Sequence, residues 1–504
     1  MQISPSFDEF ARAWEQGKNQ LVHVRLAADL DTPVSLMLKL ADAGPMSFML
    51  ESVTGGEVRG RYSVVGLKPD LIWECRGEGS RINRQARYDS DAFEDQPDHP
   101  LEALRALIAE SRIEMPQGIP AIAAGLFGYL GYDMVRLVEH LPNVKPDPIG
   151  VPDAVLIRPT VVAVLDGVKG EVTVCSPAWV SSGLSARAAY AQAAERVMDA
   201  VRDLERAPVG SSRSLGNAAH LGEMTSNFTP EGYRAAVEKA KEYIRAGDIF
   251  QVVPSQRWTA EFNLPPFALY RSLRRTNPSP FLTFFNFGDF QIVGASPEIL
   301  VRVRDGEVTI RPIAGTRPRG RTPEEDRALE ADLLADQKEL AEHLMLLDLG
   351  RNDVGRVARI GTVRPTEKFI IERYSHVMHI VSNVVGELRE DQDALSALLA
   401  GLPAGTVSGA PKVRAMEIID ELEPEKRGIY GGGVGYFAAN GEMDFCIALR
   451  TAVVKDGKLY IQAGGGVVHD SDPEAEFQET VNKAKALKAA AEAAGMFVDT
   501  GRNS

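Results

Sequence analysis

Glu339 and Glu342 stand three residues apart, as do Glu476 and Glu479, with Lys483 four positions beyond the second pair. Residues three and four apart share one face of a helix, so each pair can present two carboxylates side by side. Two such charges about 4 Å apart repel by roughly 4 kcal/mol at an effective dielectric of 20, and a cation relieves that repulsion. All-oxygen donors suit Mg²⁺, which is held by few carboxylates together with water and substrate. The same spacing also fits a solvated helix face, and the sequence by itself leaves both readings open.

Positive charge is concentrated elsewhere. The stretch Arg311–Arg321, RPIAGTRPRGR, places four arginines and two glycines in eleven residues of a chain whose net charge is −14. Glycine lets backbone N–H groups approach a ligand, and the arginine fork matches carboxylate or phosphate, so the stretch reads as a seat for a small polyanion or as a solvated loop. Three further Gly-rich turns follow, at 406–412, Gly431–Gly435 and Ala463–Gly466, and Lys412, Arg414 and Arg450 lie near them. None has the spacing of a P-loop or a dinucleotide fingerprint, so the expected anion is not a nucleotide. His376 and His379, three apart, suit a metal pair or one acid/base residue beside a structural one. No Gly-x-Ser-x-Gly elbow is present, and Cys75, Cys175 and Cys446 are isolated, which argues against covalent Ser or Cys catalysis, disulfides and a cysteine zinc site.

These residues need elements to hold them. Ser185 to Glu205 reads as a helix, and Thr229-Pro230-Glu231 is a capped start for another that runs to Gly247. Strands are expected at Ile249–Trp258, Phe281–Phe287, Gln291–Gly294, Leu300–Val303, Val308–Ile310, Gly433–Ala438, Asp444–Val454 and Leu459–Gly464. Asp305-Gly306 and Asp456-Gly457 read as hairpin turns, which imply antiparallel sheet and an α+β fold. The Gly/Ser/Asn-rich seam at 207–229 reads as a linker between domains at 1–206 and 230–495, with a tail at 496–504. At 504 residues, with 44% hydrophobic and 25% charged residues, the composition is that of a globular protein. No apolar run is long enough to span a membrane, and the acidic balance argues against a nucleic-acid surface; the expected location is cytoplasmic.

Taken together, the motifs resemble the chorismate-utilising enzymes, and among them the large subunits of anthranilate synthases. The stretches that carry the resemblance are GDIFQVVPSQR (Gly247–Arg257), NPSPF (Asn277–Phe281), GASPE (Gly294–Glu298), PIAGTRPRG (Pro312–Gly320), KELAEHLMLLDLGRND (Lys338–Asp353), YSHVMH (Tyr374–His379), SGAPKVRAM (Ser408–Met416), YGGGVGYF (Tyr430–Phe437) and QAGGGVV (Gln462–Val468). The resemblance implies a two-domain α+β fold of antiparallel sheets packed together, with helices outside. It implies chorismate as substrate, Mg²⁺ as cofactor, and amination at ring carbon 2 by ammonia followed by loss of pyruvate to give anthranilate. The family's metal carboxylates fall on Glu342 and Glu479, with Glu339 and Glu476 as neighbours. Its substrate contacts fall on Gly315, Thr316, Tyr430, Arg450, Gly464, Gly465, Gly466 and Lys483. His379 matches the catalytic histidine, Glu298 is a candidate base for the ring proton, and Thr406 is taken as catalytic with them. Where related synthases carry an activating lysine, this chain has Ala314 and Gln251, which favours ammonia as the direct nucleophile.

The resemblance also implies a tryptophan feedback site formed by Met49, Leu50, Glu51 and Ser52, with Gly60–Ser63 and, from the second domain, Pro280, Phe281 and Leu282. No glutaminase is apparent, so a separate glutamine amidotransferase subunit is expected to deliver ammonia in a hetero-oligomer, a heterotetramer by family habit. Two other readings stay open at this level: an aminodeoxychorismate or isochorismate/salicylate synthase, and a non-catalytic tryptophan-sensing scaffold.

Overall fold

A computed structural model describes residues 2–52, 61–206, 221–374 and 377–498, without the side chain of Ser52. His376, Gly60, the 207–220 part of the expected linker and the last six residues lie outside the described residues.

Capping side chains mark where the helices start. Thr229 accepts the Gly232 N–H at 3.0 Å at the head of Pro230–Arg245, and Ser185 does the same for Ala186–Glu205. Asp336 accepts from Lys338 and Glu339 N–H and opens the helix Gln337–Val357; Asp472 opens Pro473–Ala493. These last two helices carry the acidic pairs, each pair within the first two turns, where a carboxylate also meets the positive end of the helix dipole.

The fold is α+β. Twenty-one strands join in one hydrogen-bonded network and two more form a separate ladder, Gln251–Val252 with Gly409–Ala410. Every described ladder is antiparallel. The network crosses between the two halves of the chain: Ser47–Ser52 pairs along its length with Phe281–Asn286, and Gly125–Leu130 with Gly433–Ala438. At this crossing Phe48 stacks on Phe127 and Phe285, with ring centroids 4.5 and 5.2 Å apart, and Phe127 stacks on Tyr436. Such aromatic contacts bury large areas in a fixed geometry and lock the register of the joined strands.

Two expected strands are interrupted. Ile249–Trp258 divides into Gln251–Val252 and Ser255–Glu261 around Pro254, which has no N–H for a ladder. Asp444–Val454 divides into Met443–Ile447 and Thr451–Lys455, with Arg450 at φ +47° between them. The two hairpins turn as expected: Asp305-Gly306 and Asp456-Gly457 all have positive φ, as a type I′ turn requires.

Candidate active site

Glu298 sits between the strands Phe290–Ser296 and Ile299–Arg304, and its carbonyl accepts the Ile447 N–H at 3.0 Å. Its carboxyl is buried, and burial pushes its pKa up to about 8. The Ile313 N–H and the charges of Arg450 and Lys483 oppose that rise. Thr406 also lowers it from an adjacent position, although the Thr406 hydroxyl makes no hydrogen bond of full geometry.

His379 lies on the strand Val377–Glu387, directly across from Thr316 on Ile313–Pro318. The register slips between Ala314 and Thr316, and Gly315 takes φ +71° at that irregularity, a conformation suited to glycine. The result is a pair of contacts on one ring nitrogen: His379 Nδ1 is 3.0 Å from Thr316 Oγ1 and 3.0 Å from the Gly315 carbonyl. A carbonyl only accepts, which assigns the proton to Nδ1 and leaves Nε2 free for chemistry. Burial lowers the pKa of the ring, so His379 is neutral at neutral pH. Tyr374 holds the ring edge-on at 5.5 Å while its hydroxyl donates to Glu372 at 2.9 Å. Tyr374 was visible in the YSHVMH motif, but only the fold reveals that it buttresses the histidine.

Three consecutive glycines form a bare backbone edge. A Cβ on Gly464 would lie 2.9 Å from both the Tyr430 hydroxyl and the Pro254 carbonyl; on Gly465, 3.0 Å from Glu476 Oε2; on Gly466, 2.5 Å from Gln251 Nε2. Lys483 donates to the Gly464 carbonyl at 2.9 Å and pairs with Glu479 at 2.7 Å. Tyr430 is buried beside the Gly464 N–H, and burial pushes its pKa up to about 12.

Glu476, Glu479 and Glu342 gather near this edge, and Glu339, beside Glu342, also pairs with Arg317 at 3.6 Å. The pKa of Glu342 is raised, first by burial and then by the charges of Glu339 and Glu479. Glu476 is raised by burial, against a hydrogen bond from Ser471 at 2.7 Å, and its Oε2 is buried with no partner. Gln251 lies beside Glu342 and offsets part of its burial. Among the described residues no three His, Cys, Asp or Glu side chains are drawn together as a ready cage for an ion. An orphaned carboxylate oxygen and mutually repelling acids do fit a hard divalent cation that takes few protein ligands.

The arginines singled out in the sequence are mostly spent on structure. Arg311 pairs with Glu367 and Glu372, Arg317 with Asp332 and Asp336, and Arg319 with Asp326. Lys412 is buried against Asp353 at 2.8 Å, and Arg414 pairs with Asp248 and Glu417. The centre of the stretch, Ile313–Pro318, is a strand, and Arg311, Arg317 and Arg319 around it are bound by neighbouring acids, whereas Arg321 makes no ion pair with the described residues. Arg450 also makes no ion pair with the described residues, and burial lowers its pKa while the charge of Glu298 opposes the fall. Arg450 is thus a cation without an ion pair, available for a ligand.

A second concavity, of about 570 Å³, lies between the halves of the chain. Leu50, Glu51, Phe281 and Leu282 line it, with Arg302 and Asp444; Pro280 does not line it. Glu51 is buried and already engaged, accepting from Tyr270 and from Arg274 at 2.8 and 3.1 Å.

The sequence profile of the chorismate binding enzymes matches residues 68–489. Anthranilate synthase component 1 of Cereibacter sphaeroides is 81% identical over 98% of both chains. The component 1 of Pseudomonas putida is 52% identical, over 95% of this chain and 97% of its own. Among solved structures, anthranilate synthase component I from Streptococcus pneumoniae superposes with a TM-score of 0.76 at 38% identity, covering 92% of this chain and 99% of that one. The menaquinone-specific isochorismate synthase of Escherichia coli shares the fold, with a TM-score of 0.70 at 20% identity over 96% and 99% of the two chains. A buried acid, an oriented histidine, an unpaired arginine and a glycine edge beside four carboxylates thus occur in a chain that belongs to the chorismate binding enzyme family, in its anthranilate synthase component 1 branch.

Proposed function

We propose that this chain aminates chorismate at ring carbon 2 with ammonia and then eliminates pyruvate, giving anthranilate for tryptophan synthesis. The observation that carries the reading is the arrangement of Glu298, His379 and Arg450 beside the Gly464–Gly466 edge. A ring dicarboxylate needs two anion seats, and the chain offers two different ones. Arg450 and Tyr430 suit one carboxylate, and the missing side chains of the glycines let it approach them. Glu342 and Glu479, with Glu339 and Glu476 close by, would hold Mg²⁺, which when bound neutralises the other carboxylate and the acids themselves.

In the first stage the ammonia lone pair forms the bond to carbon 2, both conjugated ring double bonds shift one place around the ring, the bond from carbon 4 to its hydroxyl breaks, and the new ammonium group releases a proton to water. His379 Nε2 gives that hydroxyl a proton, so water leaves. Neutral in the free chain, the imidazole takes up this proton as the dianionic substrate arrives and brings negative charge into the site. In the second stage Glu298, once ionised, removes the proton from carbon 2, the ether bond at carbon 3 breaks, and the side chain departs as enolpyruvate, which takes a proton on its methylene carbon to become pyruvate. Aromatisation drives this step, so a weak base suffices. Ala314 and Gln251 supply no amine to compete with ammonia.

The 570 Å³ concavity supports tryptophan feedback, since it is large enough for an indole amino acid and has both apolar and charged walls. We assign ammonia supply to a separate glutamine amidotransferase in a hetero-oligomer, and the reaction to the cytoplasm; no described helix is long and apolar enough to cross a membrane. Purified chain mixed with chorismate, MgCl₂ and ammonium chloride at mildly alkaline pH should develop anthranilate fluorescence. A folded sample that leaves chorismate unchanged overturns the reading.

A further inference from the structure

Arg427 and Glu423 form an ion pair sealed inside the second half of the chain, each 3% exposed. Glu423 caps the end of the helix Lys412–Leu422, and Arg427 lies four residues further on. The guanidinium fork grips the carboxylate at 2.6 and 3.0 Å. Withdrawing two charges from water is costly, and a buried pair adds little net stability. The contacts that the two groups make around themselves therefore matter more than their mutual attraction.

Those contacts all lead to the candidate active site. Arg427 Nη1 donates to the Val407 carbonyl and Nη2 to the Val253 carbonyl, both at 2.6 Å. Val407 follows Thr406, and Val253 precedes Pro254, whose carbonyl accepts the Gly465 N–H at 3.2 Å. Glu423 accepts from the Ser255 N–H and hydroxyl at 2.7 and 2.8 Å. The Ser255 hydroxyl in turn accepts from Gln462 at 2.8 Å, and Ser255 faces Gly464 across the ladder. The guanidinium carbon also lies over two aromatic rings, Tyr132 at 4.7 Å and Tyr430 at 5.4 Å, where a cation is attracted to the ring face. Its charge opposes the rise in the Tyr430 pKa, which makes that hydroxyl the better donor.

We infer that Arg427, held by Glu423, is a positioning residue for the substrate carboxylate: it fixes the backbones of Val253 and Val407 from behind and sets Tyr430 against the Gly464–Gly466 edge. This rests on the reading of the chain as a chorismate-aminating synthase in which Tyr430 meets one substrate carboxylate. Arginine suits the task because one planar fork serves the carboxylate, both carbonyls and the ring together, which a compact ammonium does not.

The test compares KM for chorismate and kcat, with Mg²⁺ and ammonium, in wild type and Arg427→Lys. Lysine keeps a cation beside Glu423, and so the fold, but lacks the fork. KM should rise about ten-fold while kcat stays within about two-fold, because the seat is disturbed and not the chemistry. A wild-type KM overturns the role. In a Tyr430→Phe background the same substitution should change KM by less than about two-fold; an undiminished rise there shows that Arg427 does not act through Tyr430. Arg158→Met removes another buried arginine, paired with Asp70 and Glu110 in the first half of the chain, and controls for lost stability. An equal rise in KM in that variant overturns the positioning role. Fluorine NMR of fluorotyrosine-labelled chain reads the geometry independently of turnover. The Tyr430 resonance, identified by its loss in Tyr430→Phe, should move in Arg427→Lys and stay in place in Arg158→Met; an unmoved resonance in Arg427→Lys overturns the inference. Wild-type chain that makes no anthranilate from ammonium refutes the proposed reaction instead, and the resonance still decides whether Arg427 positions Tyr430.

Discussion

Replacing Glu298 by glutamine separates what the carboxyl does for catalysis from what it does for stability. With the pKa near 8, about 9% of the group is ionised at pH 7 and about 91% at pH 9. If Glu298 is the base, the second stage of the wild-type chain, started from the aminated intermediate so that the acid His379 is not needed, should quicken roughly ten-fold over that interval at constant Mg²⁺. Glu298→Gln should lie a factor of about 10²–10⁴ lower and lose the inflection. Stability moves the other way. The unfolded side chain releases its proton near 4.5, whereas the folded one keeps it to about 8. Folding therefore binds a proton in that window, and its stabilising effect is full below pH 4.5 and lost as pH rises through 8. The loss is about 1.4 kcal/mol per pH unit midway between the two values and flattens near 8, so it comes to about 2 kcal/mol between pH 6 and 8. Urea titrations at pH 6 and pH 8.5 should show a larger alkaline loss for wild type than for Glu298→Gln, leaving the inactive variant the less pH-sensitive of the two. A pH–rate profile that stays flat from 6 to 9 in wild type, or an inflection that survives in the variant, refutes the assignment of Glu298 as base.

Other perturbations address the remaining parts of the site. Glu479→Gln should weaken the Mg²⁺ dependence of turnover by at least ten-fold in a metal titration, with no loss of folded protein; an unchanged titration curve removes Glu479 from the metal site. Thr316→Val deletes one of the two contacts on His379 Nδ1, and kcat should fall about ten-fold with KM nearly constant, since only the orientation of the ring is disturbed. Equal turnover in the two proteins would show that the Gly315 carbonyl alone is enough. Arg274→Leu leaves Glu51 buried without its cation, and urea unfolding should register a loss of about 3 kcal/mol together with weaker tryptophan inhibition. A neutral effect on both would mean that Tyr270 satisfies Glu51 by itself.

Local signals in the sequence carried far where the chemistry is local. Thr229 and Ser185 marked helix starts because a capping hydroxyl acts within three residues, and the Asp-Gly pairs marked hairpins because positive φ is a property of two residues. Signals that depend on distant partners were silent. Arg311, Arg317 and Arg319 looked available because nothing in RPIAGTRPRGR shows that Glu372, Asp336 and Asp326 fold onto them. Arg450 gave no sign that it would break the strand Asp444–Val454 and stay without an ion pair among the described residues. The pairing of Ser47–Ser52 with Phe281–Asn286 spans more than two hundred residues, beyond the reach of any periodicity. The candidate residues themselves were found by motif resemblance; the orientation of His379 and the bare Gly464–Gly466 edge required the fold.

Neighbouring residues in a strand point to opposite faces. In Met443–Ile447, Cys446 lines the 570 Å³ concavity and Ile447 lines a cavity of about 30 Å³ beside Glu298. One thickness of backbone is thus a diaphragm between two compartments. Close-packed interiors transmit displacement with little compression. A guest wedged on the Cys446 side would then press on the face of the same strand that borders Glu298.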